Sequence, residues 1–180
     1  IAVPTGNFGN ILAAYYAMRM GLPVGRLICA SNDNRVLTDF FESRVYDKRR
    51  MLELTSSPSM DILVSSNLER YLFHLSDSDS EMVADKMYEL EKNGVYNWES
   101  GDIGPVYPGM ADEKDVTKAI KDMAASEGYV MDPHTAVAYS VYKKYLEDTK
   151  DNTCTLIAST ASPFKFSGKV LSSLGEEPGN

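Results

Sequence analysis

The chain is poor in cysteine, histidine, basic residues and long apolar runs, and each scarcity excludes a class of protein. Two cysteines and two histidines among 180 residues provide neither a metal-ligand spacing nor a disulfide framework, which predicts no metal site and fits a reducing cytoplasm. Only 18 basic residues accompany 26 acidic ones, and the net charge of -8 argues against nucleic-acid binding. No apolar stretch is long enough to cross a bilayer, so no membrane partner is expected.

The apolar content, by contrast, is sufficient for one domain with a sizeable core. Hydrophobic residues make up 43% of the 180-residue chain. Cys29 and Cys154 lie in short apolar runs and are predicted to be small buried residues on strands. Because the chain opens in an apolar strand without an initiator Met, we expect a piece of a longer protein whose upstream part is missing.

The first thirty residues predict a βαβ unit. Residues 1–3 are expected to form a buried strand, residues 10–20 a helix with a broad apolar stripe, and residues 24–30 a second strand. Gly21 and Pro23 end the helix in the usual order. A right-handed crossover then makes the two strands parallel, which indicates an α/β fold with a mostly parallel sheet.

The remainder is predicted to be mainly helical. Helices are expected over residues 36–42, 57–75, 81–93, 112–126, from 132 onward and over 163–174, with a loop at 97–110 and a strand at 153–159. Ser57, Asp112 and Asp132 are the predicted N-caps. We interpret residues 57–128 as a helical insertion beside the sheet.

The turn between the first strand and the first helix has a composition suited to an anion. Its sequence is Gly6-Asn7-Phe8-Gly9-Asn10. Glycines let the backbone N–H groups approach a ligand, and the helix behind them adds a partial positive charge. Neither the lysine of a P-loop nor the G-x-G-x-x-G spacing of a dinucleotide fold is present. This favours a small phosphate-bearing ligand, with an ordinary tight turn as the alternative.

Four segments, in order along the chain, resemble threonine synthase, a family of fold type II pyridoxal-phosphate enzymes. They are residues 3–10 (VPTGNFGN), 58–62 (PSMDI) running into 65–70 (SSNLER), 132–136 (DPHTA) and 159–166 (STASPFKF). The resemblance implies that residues 1–180 are the C-terminal portion of the α/β catalytic region that binds pyridoxal 5'-phosphate. It also implies the conversion of O-phosphohomoserine and water to threonine and phosphate.

The same resemblance implies roles for individual residues. The expected cofactor-binding residues are Gly6, Asn7, Phe8, Gly9, Asn10 and Thr160. The hydroxyl of Thr160 would face the pyridine nitrogen, although it could also cap the helix that follows. His134 and Lys165 are candidate substrate-binding residues. For His134 the alternative is a surface or supporting role, and for Lys165 a salt bridge or a side chain that reaches past apolar neighbours to water. His74 is interpreted as structural.

The Schiff-base lysine of the family is expected upstream of the glycine turn, in the missing part of the same enzyme. No residue of this chain is therefore assigned as catalytic, and the isolated chain is predicted to be inactive. The alternatives are a serine/threonine dehydratase or a cysteine synthase of the same fold type, whose loops are expected to be richer in glycine. A non-catalytic relative that binds a phosphorylated metabolite is the alternative from another class.

Overall fold

A parallel sheet with helices on both faces organises the part of the chain that the structure describes, residues 1–99 and 102–177. The structure is a computed structural model. Its elements are β1 (Ala2–Pro4), α1 (Gly9–Arg19), β2 (Leu27–Ser31), α2 (Val36–Ser43), β3 (Val45–Asp47), α3 (Leu68–Leu75), α4 (Ser80–Asn93), β4 (Val95–Asn97), β5 (Val106–Met110), α5 (Glu113–Glu127), α6 (Pro133–Thr149) and α7 (Ser167–Leu174). Short 3-10 helices lie at Pro58–Met60 and Pro163–Phe166.

The sheet confirms the predicted α/β fold and its βαβ unit. Its strand order is β1-β2-β5, with all pairs parallel. Ala2 pairs with Ile28 on one side and forms an isolated parallel bridge with Ile157 on the other. The strands β3 and β4 form a separate antiparallel pair that sequence analysis did not predict. No helix among the described residues is both long and apolar enough to cross a membrane.

Two hydrophobic clusters cover the two faces of the sheet. Leu27 and Cys29 belong to the cluster formed with α1, α2 and α3, whereas Ile28 and Ala30 belong to the one formed with α5, α6 and α7. Alternate residues of a strand point to opposite faces, so β2 is buried on both. The burial predicted for Cys29 is confirmed, and it raises the pKa of the thiol to about 12.

The predicted loop at residues 97–110 is wrong in its second half, which forms β5. Pro108 lacks an N–H donor, but β5 lies at an edge of the three-stranded sheet, where proline is tolerated. Gly109 faces α6 closely, since an added Cβ would lie 2.5 Å from Cγ1 of Val141. These two of the residues that indicated a loop are thus accommodated by tertiary structure.

The long helix predicted over residues 57–75 is also wrong. Only Pro58–Met60 forms a 3-10 helix, and α3 begins at Leu68. The carboxylate of Asp61 accepts hydrogen bonds from the side chains of Asn32 and Asn34 and from the backbone N–H of Thr55. The hydroxyl of Ser57 accepts from Asn32 and caps no helix. This buried network holds the segment against the carboxyl end of β2 and outweighs its helical periodicity.

The strand predicted over residues 153–159 is reduced to the bridge between Ile157 and Ala2. In this bridge the N–H of Ala2 donates to the carbonyl of Leu156, and the N–H of Ala158 donates to the carbonyl of Ala2. Cys154 is exposed, so its predicted burial is wrong. The caps Asp112 and Asp132 are confirmed, because both side chains accept backbone N–H groups of the following helix. Residues 57–128 include β4 and β5 as well as helices, and their status as an insertion stays a prediction.

Candidate functional site

The glycine turn (residues 6–10) joins β1 to α1 through an unusual backbone at Phe8. This residue has φ 62° and ψ 6°, a left-handed conformation that aromatic side chains rarely adopt. Its ring is buried against Phe41 and Tyr71, with centroid distances of 5.8 and 5.3 Å. Burial of this ring therefore offsets the backbone strain and anchors the turn in the core.

The backbone N–H groups of the glycine turn are available to a ligand. Within the described residues, none of the five N–H groups from Gly6 to Asn10 donates to a protein acceptor, whereas those of Thr5 and Leu12 donate to Ala30 and Phe8. The first N–H groups of a helix have no partner inside the helix. Together with the partial positive charge at the start of α1, they favour an anion at this position.

Residues 65–67, which we call the strap, hold the oxygen atoms of the glycine turn. Oγ of Ser65 donates to the carbonyl of Gly6 at 2.9 Å, and Nδ2 of Asn67 donates to the carbonyl of Asn7 at 2.9 Å. The backbone N–H of Ser66 donates to Oδ1 of Asn7 at 2.9 Å. In a planar trans peptide the N–H points away from the preceding carbonyl. By fixing these carbonyls, the strap orients the N–H groups that follow them.

The two glycines of the turn differ in what surrounds them. A Cβ on Gly6 would lie 2.9 Å from Cα of Met60 and 3.0 Å from the carbonyl oxygen of Ser59, so the fold itself requires glycine there. Among the described residues, a Cβ on Gly9 would meet only Nδ2 of Asn67, at an ordinary 3.5 Å. The fold therefore leaves room at Gly9, on the side of the helix N-terminus.

One cavity of about 280 Å³ brings the predicted site residues together. Its lining includes residues 6–10 together with Thr160, His134 and Lys165, which sequence analysis placed in one site. Ser59, Met60 and Phe166 also line it, although no role was predicted for them. The volume lies near the lower end of the ~300–1,000 Å³ range typical of ligand pockets, which suits a small ligand better than a dinucleotide.

His134 lies in the first turn of α6, where both of its ring nitrogens are engaged. Nδ1 lies 3.1 Å from Oδ1 of Asp132, and Nε2 lies 3.4 Å from the backbone N of Ser59. A carboxylate only accepts hydrogen bonds, so the network assigns the proton to Nδ1 and leaves Nε2 as an acceptor. Burial favours a raised pKa for Asp132, but hydrogen bonds from His134 and Thr135 outweigh it and lower the pKa below its ordinary value.

Thr160 and Lys165 are exposed residues of the cavity wall. Ser162, and not Thr160, precedes the 3-10 helix Pro163–Phe166 as its N-cap residue, so the capping alternative for Thr160 is wrong. In the part of the chain that the structure describes, no protein group hydrogen-bonds to the hydroxyl of Thr160 and no carboxylate pairs with Lys165. Both side chains are thus open to a ligand. His74 packs edge-on against Tyr16 at 5.3 Å, in line with a structural role.

No family model matches the chain, whereas individual proteins do. It is 42% identical over 180 residues to threonine synthase-like 1 of Homo sapiens, an alignment covering 97% of this chain and 24% of that protein. It is 38% identical to the threonine synthase of Schizosaccharomyces pombe, with 93% and 38% covered.

Its fold is similar to that of the pyridoxal-phosphate-bound threonine synthase from Brucella melitensis, with a TM-score of 0.87 and 36% identity over 98% of this chain and 38% of that one. The chain therefore spans between 24% and 38% of the length of these relatives. Nearly all of it is matched, in sequence and in fold, by one part of a longer protein.

Proposed function

Because this chain is related to the threonine synthase family over nearly its whole length, we propose that it is a part of a pyridoxal-phosphate-dependent threonine synthase. The protein that contains it would convert O-phosphohomoserine and water to threonine and phosphate. The observation that carries the proposal is the group of unpaired N–H groups at residues 6–10, which line the same cavity as Thr160, His134 and Lys165.

The glycine turn would hold the phosphate group of the cofactor. Its N–H groups are donors of fixed orientation, and the N-terminus of α1 adds a favourable field of about 0.3–1 kcal/mol for a nearby negative charge. The absence of a Cβ at Gly9 leaves space for the phosphate beside the helix. The residues present therefore fit a phosphate monoester.

Thr160 would orient the cofactor ring at its nitrogen. When bound, pyridoxal phosphate supplies an electron sink for the carbanions that form at the substrate. A threonine hydroxyl is a neutral donor, so it can hydrogen-bond to the ring nitrogen without forcing its protonation, as a carboxylate would. This would limit how strongly the carbanion is stabilised.

Lys165 and His134 would face the substrate. The ammonium group of Lys165 is exposed at the cavity and free to pair with the phosphate of O-phosphohomoserine, which leaves during the reaction. His134 has no free N–H, because the network places its proton on the nitrogen bonded to Asp132. Its Nε2 already accepts from the backbone N–H of Ser59, so His134 would contribute shape to the cavity wall.

A direct assay of the full-length protein tests the proposal. With pyridoxal phosphate and O-phosphohomoserine, we expect threonine and inorganic phosphate in equal amounts. Ammonia released from serine or threonine instead would indicate the dehydratase alternative. Cofactor or phosphometabolite binding without any product would indicate a non-catalytic relative. A cytoplasmic location, and assembly with the upstream part of the same enzyme, belong to the same proposal.

A further inference from the structure

Tyr46 of β3 contacts the strap through its hydroxyl group. Its ring is buried and stacks on that of Tyr96 in β4, with centroids 5.3 Å apart and planes within 4°. Its hydroxyl donates to the carbonyl of Leu63 at 3.1 Å and accepts from the backbone N–H of Ser65 at 2.8 Å. One hydroxyl thus fixes the backbone on both sides of Val64, the residue before the strap.

The connection continues from the strap to the anion site. Oγ of Ser65 donates to the carbonyl of Gly6 at 2.9 Å. The peptide that carries this carbonyl also carries the N–H of Asn7, which points to the other side. The position of the Tyr46 hydroxyl therefore constrains the direction of the backbone N–H of Asn7, a residue that lines the cavity.

We propose that Tyr46 is a positioning residue for phosphate binding, acting through Ser65 on the peptide between Gly6 and Asn7. This rests on the proposed function only in that the ligand of the glycine turn is a phosphate group. Tyr46 is not among the residues that line the cavity. It keeps the turn in the arrangement that a phosphate needs before the ligand arrives, which reduces the cost of binding.

Tyr96 provides a matched control within the same ring pair. It is as buried as Tyr46, but its hydroxyl has no hydrogen-bond partner among the described residues. Phenylalanine at either position preserves the stacked rings. Only Tyr46→Phe removes hydrogen bonds to the strap, so a difference between the two variants reports on those bonds and not on packing.

The experiment measures the affinity of the full-length apoprotein for pyridoxal phosphate, for pyridoxal and for inorganic phosphate. For Tyr46→Phe we expect roughly 3- to 10-fold weaker binding of the two phosphate-bearing probes, the loss expected for one or two buried hydrogen bonds. Pyridoxal, which lacks the phosphate, should bind as in the wild type. Tyr96→Phe should leave all three affinities unchanged. Ser65→Ala, a milder change, should act in the same direction as Tyr46→Phe.

A combined Tyr46→Phe and Ser65→Ala variant tests the connection itself. If both residues act through one path, the phosphate affinity of the double variant should be close to that of whichever single variant binds phosphate less tightly. Fully additive losses, or an equal loss for pyridoxal and pyridoxal phosphate, would overturn the proposal. Unchanged phosphate affinity in Tyr46→Phe would overturn it as well. None of these measurements requires turnover, so a failure of the threonine synthase assay would not obscure them.

Discussion

At the level of single residues, the glycine turn contains one glycine that the packing of the fold requires and one beside which the fold leaves open space. Gly6 is confined by the backbone of residues 59–60, whereas Gly9 has room for a Cβ. Phe8 accepts an unfavourable backbone conformation because its ring is buried. The same short motif therefore combines a packing requirement, an anchor and an open face.

Substitution of Gly9 tests the open face. We expect Gly9→Val to weaken phosphate binding by about tenfold or more, because the branched side chain would occupy the space beside the N-terminus of α1. The melting temperature should change little, since an added Cβ would meet just the side chain of Asn67, at 3.5 Å, within the part of the chain that the structure describes. Gly6→Val is the matched control and should lower the melting temperature strongly. Wild-type cofactor affinity in Gly9→Val would mean that the phosphate lies elsewhere.

Thr160 offers a second test at this scale. Its hydroxyl is exposed and has no partner among the described residues, so its removal should not destabilise the fold. We expect Thr160→Ala to lower turnover by roughly tenfold or more, as for other lost donors at a reacting group, with an unchanged melting temperature. Thr160→Ser keeps a hydroxyl and should retain most of the activity. Normal turnover in Thr160→Ala would exclude a role at the ring nitrogen.

A site residue could be predicted from the sequence where its neighbours along the chain form a recognisable motif. The glycine turn, Thr160, His134 and Lys165 lie in recognisable short segments, and the structure brings them to one cavity. Tyr46 acts on the turn through hydrogen bonds to residues 17 and 19 positions away, which no local pattern indicates. The apolar neighbours of Cys154 predicted that it is buried. The segment pairs with the sheet at Ile157, however, and Cys154 is exposed.

At the level of elements, the same contrast explains which helices and strands were predicted correctly. Helices α5 and α6 are capped by Asp112 and Asp132, whose side chains accept backbone N–H groups two or three positions ahead. The segment after Ser57 has helical periodicity, yet its polar residues bond to the distant Asn32. The strand β5 contains a proline, which its edge position tolerates, and a glycine, which the close approach of α6 requires. Neither circumstance can be seen in the local sequence.

The start of α6 is expected to give the chain a specific dependence on acid. The pKa of Asp132 is lowered in the folded state, because hydrogen bonds from His134 and Thr135 outweigh the opposing effect of burial. A lowered carboxyl pKa contributes stability that is complete above the unfolded value of 3.8 and is lost as the pH falls through the folded value. Asp132 should therefore stabilise the chain at neutral pH and cease to do so in acid.

Unfolding of the wild type and of Asp132→Asn by denaturant, between pH 7 and about pH 2.5, measures this contribution. Asparagine retains an acceptor at the N-cap but not the charge. We expect the wild type to be more stable by about 1–2 kcal/mol at pH 7, the difference between charged and neutral hydrogen bonds. The difference should decrease as the pH falls below 3.8, the ordinary value of this carboxyl group. A difference that is independent of pH would contradict the assignment.

At the level of the whole molecule, the chain matches only 24–38% of the length of its relatives, although nearly all of it is matched. The glycine turn, Thr160, His134 and Lys165 of this chain line one cavity. The exposed large apolar side chains include Phe164, beside Lys165, with 88% of its surface accessible. Under the proposed function, we expect this side chain to be covered by the part of the enzyme that lies outside this chain.

The last prediction concerns the 180-residue chain by itself. Under the proposed function, the lysine that binds the cofactor covalently is expected outside this chain, so the chain should form no threonine from O-phosphohomoserine, even with added pyridoxal phosphate. Lys165 lines the cavity and is the lysine to examine as a substitute. Product analysis after prolonged incubation should give no threonine with either the wild-type chain or Lys165→Arg, while addition of the upstream part of the protein as a separate polypeptide should restore turnover. The opposite result would be that the chain alone forms threonine and that Lys165→Arg abolishes this activity. It would show that the catalytic lysine lies within the chain.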